Sequence, residues 1–243
     1  MNSEFKDDRV FFRQEFQNML LAHGFIYKYN KFVRIFPGHG AIFIYFEKYR
    51  RIPDIKVSVV SFSNDIDDLN NIINTNAISI WTFRNIAINE AFDPRSNKMF
   101  VETSKSIIEK YVLPELIKIH NAEDILRYHT TFTDKLSRSD MHFIKNKLAA
   151  ALQIGEYDYI MNKLDEMRID ITNFVVRMKE SNNRYIDHDI ERYNEVIEYI
   201  SQIQNLIVND HSSLLEKYLK ERNDYWDGLC KQRYPKFYKG NNA

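Results

Sequence analysis

The residues best suited to chemistry by type and spacing are Glu47, Asp54 and Lys56. Paired carboxylates can hold a divalent cation, and a nearby lysine can assist an attacking water. Asp54-Ile55-Lys56 opens one expected strand and Glu47 closes the strand before it, so a hairpin would draw the three side chains together. A helix carrying Glu15 precedes them. Other catalytic signals are thinner. Cys230 is the single cysteine; Lys231 and Arg233 beside it could lower its pKa, but a lone cysteine on a helix is more often a packing residue. His120 with Glu123, and His188 with Glu191, stand three apart on helix faces. Neither pair brings the further ligands a metal centre needs, so no metal site and no cofactor are expected. There is no Gly-x-Ser-x-Gly elbow, and Pro37-Gly38-His39-Gly40 lacks the Gly-Lys-Ser/Thr ending of a phosphate loop.

A second group could bind rather than react. Residues 28–56 hold Lys28, Lys31, Arg34, Lys48, Arg50, Arg51 and Lys56 against only Glu47 and Asp54. Tyr27, Tyr29, Phe43, Tyr45 and Tyr49 are interleaved with them. The candidate face is Lys28, Tyr29, Lys31, Arg34, Tyr45, Lys48, Tyr49, Arg50 and Arg51. Such a face suits a protein partner, because Tyr and Arg dominate interface hot spots. It also suits nucleic acid, by base stacking and phosphate pairing. The plainest reading is a sheet whose lysine-lined edge blocks aggregation and whose aromatics fill the core.

The elements that must position these residues change period near residue 100. Phe12, Phe16, Met19 and Leu20 mark one face of an opening helix over 7–23, stopped at Gly24. Residues 25–36, 41–49, 55–62 and 78–83 read as strands, with Tyr49–Pro53 as a loop between the second and third. Residues 66–73 read as a short helix. Beyond 100 the pattern is helical: 100–119 with a break at Pro114, 121–128 capped by Asn121, then 139–152, 158–179, 184–208 and 212–231. Residues 148–164 have the look of one tetratricopeptide-type hairpin, but no second copy follows at that period. Ile186, Ile190, Tyr193, Ile197 and Ile200 form a near-heptad stripe that must be buried, with neighbouring helices of the same chain preferred over a second chain. The expected fold is α+β: an opening helix and an antiparallel β-meander, then an all-helical C-terminal bundle. The expected division is 1–98 and 99–243, or one continuous domain.

Composition sets the outer limits. The 243 residues are 44% hydrophobic and 28% charged, which is the balance of a globular chain. Lys+Arg 34 against Asp+Glu 34 gives no net charge, so a chain coated in basic charge for nucleic acid is excluded. The polar start Met1–Asp8 lacks a signal-peptide core, and no apolar run reaches the roughly 18 residues of a membrane span. A cytoplasmic location without membrane association is expected. The sequence leaves the oligomeric state open.

Two resemblances follow from these residues. The segments Ala22-His23-Gly24-Phe25, Tyr29-Asn30-Lys31-Phe32-Val33-Arg34, Tyr45-Phe46-Glu47-Lys48, Ile80-Trp81-Thr82 and Ile107 to Leu116 lie in an order similar to the bacterial family of unknown function DUF4304. Glu47 stands where that family usually has Gln. The resemblance covers about the first half of the chain; it implies a fold and carries over no active site. The order helix, strand, strand, strand with acids and an Asp-x-Lys also resembles the PD-(D/E)xK nucleases, which implies Glu47, Asp54 and Lys56 as the catalytic set. Against it stand the commonness of Asp-x-Lys and a sheet that reads as a plain meander without a later parallel strand. The expectation is a non-enzymatic binding protein with a protein partner. By analogy with small bacterial α+β proteins, that partner suggests an immunity or conflict-system role. The alternatives are a metal-dependent nuclease and a nucleic-acid binder.

Overall fold

The computed structural model describes residues 8–49, 52–62, 77–80, 82, 97–132, 141–180, 186–209 and 212–239. The expected helix at 66–73 lies outside them. Helix α1 (Asp8–Leu21) buries Phe12, Phe16 and Leu20, one side chain per turn. It stops at Gly24, whose φ of 81° only glycine adopts cheaply; the Phe25 N–H then donates back to the Leu20 carbonyl at 3.2 Å.

Among the described residues five antiparallel strands follow in simple meander order: β1 (Ile26–Lys28), β2 (Lys31–Phe36), β3 (Gly40–Tyr49), β4 (Ile52–Ser61) and β5 (Ala77–Ser79). The single strand expected over 25–36 is in fact a hairpin. Tyr29 and Asn30 both have positive φ, 51° and 60°, which is a two-residue turn matched to strand twist. Its usual Asn-Gly signature is missing, which hides it in the sequence. Within the expected loop at 49–53, Tyr49, Ile52 and Pro53 are strand residues, because β3 and β4 pair as far as Tyr49 with Ile52. The last strand is shorter than expected, with Ile80 already helical.

Alternation sorts the sheet into two faces. Phe32, Phe36, Ile42, Ile44, Ile55, Val57 and Val59 face α1 and the helices after residue 97. Those helices are α2 (Asn97–Ile107), α3 (Leu113–Leu116) and α4 (Ala122–Phe132). Between α2 and α3 the chain makes a π-helical turn, Ile108–Val112, closed by the Leu113 N–H on the Ile108 carbonyl. Pro114 has no N–H to continue the ordinary ladder, so the register slips beside it. Asn121 Oδ1 accepts the Asp124 N–H at 2.9 Å, and Asp124 Oδ2 accepts the His120 N–H at 2.8 Å, a reciprocal cap for α4. The apolar cluster on this face draws from both sides of residue 98, from Phe12 through Ile80 to Ala150.

The remaining described elements are helical: α5 (Met141–Ile154), α6 (Tyr157–Glu180), α7 (Ile186–Val208), α8 (Ser212–Arg233) and a 3-10 turn at Pro235–Tyr238. Gly155, with φ 75°, reverses the chain between α5 and α6. Leu152, Ile160, Leu164, Ile171, Ile200, Ile203 and Leu215 form their bundle core, with Ile197 partly buried against it. The described part of the 186–200 stripe is therefore covered within the chain. Helix α8 then returns to the sheet. Trp226, Cys230 and Tyr234 pack on Val33, Ile35, Phe43, Val60 and Phe62, so the second face is buried too. Among the described residues no helix is long and apolar enough to cross a membrane.

Candidate functional site

Glu47, Asp54 and Lys56 do lie on one face of the sheet. Glu47 pairs directly opposite Asp54, and Lys56 is two residues further along β4, opposite Tyr45. The charges of Asp54 and Lys56, however, are used locally. Lys56 Nζ stands 3.0 Å from Asp54 Oδ2, and Ser79 Oγ donates to Asp54 Oδ1 at 2.7 Å. Burial, then Glu47 and Asp54, push the Tyr45 hydroxyl above its ordinary value, so it stays protonated beside them. Among the described residues no three His, Cys, Asp or Glu side chains gather as metal ligands.

The basic–aromatic set is dispersed. Arg34 has the opposite parity from Lys31 and faces the α1 side, where its guanidinium lies over Phe36 and Nη1 is 3.5 Å from the Leu116 carbonyl. Burial lowers its pKa. Tyr45 is buried, with Lys31 Nζ 5.6 Å from its ring centroid. Lys48 and Tyr49 are strand residues at the far end of β3, and Arg50 and Arg51 lie outside the described residues.

Lys28 and Tyr29 instead join the C-terminal segment. Lys28 Nζ donates to the Arg233 carbonyl at the end of α8. It sits 4.9 Å from the Tyr29 ring and 5.8 Å from that of Tyr234. Tyr29 meets Tyr234 edge to face at 5.9 Å. Tyr29 is 57% exposed, whereas Tyr234 is 2% exposed. Asp227 Oδ1 accepts both the Gly38 N–H and the Tyr238 hydroxyl at 2.8 Å, fixing the β2–β3 turn and the 3-10 turn to α8. The result is a corner built from Lys28, Tyr29, Lys31, Arg233 and Lys236 around one projecting tyrosine. The sequence offered its β-hairpin half; nothing local to residues 233–239 announced the other half.

Cys230 is no nucleophile here. Burial, with the Asp227 charge next, pushes its thiol up to about 12, and Arg233 offsets this only in part. The sequence also missed a buried polar group. His129 Nε2 lies 3.2 Å from the Val59 carbonyl and 2.5 Å from Asn146 Nδ2, and Lys147 beside Asn146 is only 6% exposed. Burial first, then the Lys147 charge, drive the His129 pKa down to about 3, so the imidazole is neutral. Compared with protein-family models, curated proteins and solved structures, the chain shows no match.

Proposed function

We propose that this chain is a non-catalytic binding protein whose partner is another protein, engaged through the Tyr29 corner. The observation that carries this reading is the conformation of Tyr29. A tyrosine at φ 51° bears a cost of about 1–2 kcal/mol that glycine or asparagine would largely avoid. It is held there by Lys28 and Tyr234 with its ring left mostly in solvent. An ordered, exposed tyrosine with cations around it has the make-up of an interface anchor. Supporting the non-catalytic half, Asp54 is already paired with Lys56 and Ser79.

The test is a photo-crosslinking residue placed at position 29 in cells, with the same residue at exposed Leu214 as control. A protein adduct of one defined mass at 29, absent at 214, is expected. Adducts to nucleic acid alone at 29 would reject the reading. Divalent-metal-dependent cleavage of DNA or RNA, lost in Asp54→Ala, would reject the non-catalytic half and favour a nuclease built on Glu47, Asp54 and Lys56.

A further inference from the structure

We infer that the partner surface held at the Tyr29 corner is acidic; this rests on the protein-binding reading and specifies its chemistry. The chain is neutral overall, yet its charge is segregated. No acidic residue occurs from Phe16 to Phe46, and none from Gly228 to the end. The fold brings these two acid-free stretches together at the Lys28–Arg233 and Tyr29–Tyr234 contacts, 205 residues apart in sequence. Lys28, Lys31, Arg233, Lys236 and Lys239 therefore share one region. Among the described residues, no carboxylate is ion-paired to Arg233, Lys236 or Lys239. Two acids lie near it: Asp227 is occupied by Gly38 and Tyr238, and Glu47 stands two positions along β3 from Tyr45, the register partner of Lys31.

A cationic region of this kind complements an acidic one and steers its approach. An acidic protein segment fits better than single-stranded nucleic acid. Strand binding relies on successive bases stacking on several open rings. Here Tyr29 is open, while Tyr234 is buried by its neighbours and Tyr238 is tied to Asp227.

The experiment measures fluorescence anisotropy of three labelled probes with the full chain: a 12-residue Glu/Asp-rich peptide, a neutral peptide of equal length, and a 12-nucleotide oligo-dT. The acidic peptide should bind best and weaken by about tenfold between low and high salt. The double variant Lys236→Glu, Lys239→Glu should lose about tenfold with unchanged melting because both side chains are exposed, and Tyr29→Ala should lose several-fold. Equal binding of both peptides, or none, overturns the inference; a protein adduct at position 29 would then leave the protein-binding reading standing. Tighter binding of oligo-dT overturns both. The exposed Glu191, Glu195 and Glu198 of α7 give a second copy of the chain a way to supply the acid. A salt-sensitive doubling of mass that the double variant abolishes would therefore overturn a foreign partner.

Discussion

Asn146 and Ser61 are paired as if Asn146 were part of a strand. The Asn146 Oδ1 accepts the Ser61 backbone N–H at 2.7 Å, and its Nδ2 donates to the Val59 carbonyl at 2.6 Å. Among the described residues β5 pairs with β4 as far as Ser58, and beyond it one side-chain amide from α5 engages the β4 backbone. Helix α5 is thereby locked to the sheet in register, and the helical bundle with it.

Replacing Asn146 with Leu should be severe. The buried Ser61 N–H would lose its partner at about 1–3 kcal/mol, and the Val59 carbonyl and His129 Nε2 would both lose the amide they share. Chemical denaturation should show a loss of several kcal/mol, larger than for Asn146→Asp, which keeps an acceptor for Ser61. A loss under about 1 kcal/mol for the leucine variant would mean the amide is not what seals that edge.

His129 gives the fold an acid sensitivity of known sign. Its pKa falls from 6.5 unfolded to about 3 folded, so below pH 6.5 the unfolded chain binds a proton that the folded chain refuses. Its contribution is fully present above pH 6.5, declines as pH falls, and levels off near 3. The slope from this group approaches about 1.4 kcal/mol per pH unit within that window. Stability measured from pH 7 to 4 should fall less steeply in His129→Gln than in the unaltered chain, because glutamine does not titrate.

Gly40 begins β3 where no side chain fits. A Cβ there would stand 2.2 Å from the Val60 carbonyl oxygen and 2.5 Å from Ile125 Cδ1. The first contact is with backbone and cannot rotate away. Gly40→Ala should cost several kcal/mol by thermal or chemical unfolding, whereas Gly228→Ala, with open space around it, should be neutral or slightly stabilising.

Cys230 should be silent toward thiol reagents in the native chain at pH 8, since it is fully buried and that burial pushes its thiol up to about 12. Labelling should appear only with denaturant, following global unfolding as the α8 seal on the sheet opens. Fast native labelling would show that α8 leaves the sheet readily.

Ile197→Asp should destabilise the single chain by several kcal/mol, because Ile197 packs against the α6–α7 core that holds Ile200 and Ile203. Calorimetry together with light scattering checks this. Unchanged melting with a halved mass would place the side chain at a contact between copies instead.

The fold class was legible because its determinants are local. Period-two alternation over residues 41–49 and 55–62 reports two buried sheet faces, and the 3.6-residue stripes after residue 100 report helices. Gly24, Pro114 and Gly155 mark their stops and breaks, and Asn121 a start, by backbone chemistry. Other features have no local cause. Tyr29-Asn30 turns the chain without a glycine because Tyr234, from the far end of the sequence, helps hold it. Asn146 is a polar residue in a helix until β4 offers it two backbone partners. The basic stretch at 28–51 reads as one face in the sequence, yet the tertiary structure turns Arg34 to one side and buries Tyr45. It joins Lys28 and Tyr29 to residues 233–239 instead. Periodicity records which face of an element avoids water; which element covers that face is decided by long-range packing, and the Tyr29 corner exists only once α8 has closed on the sheet.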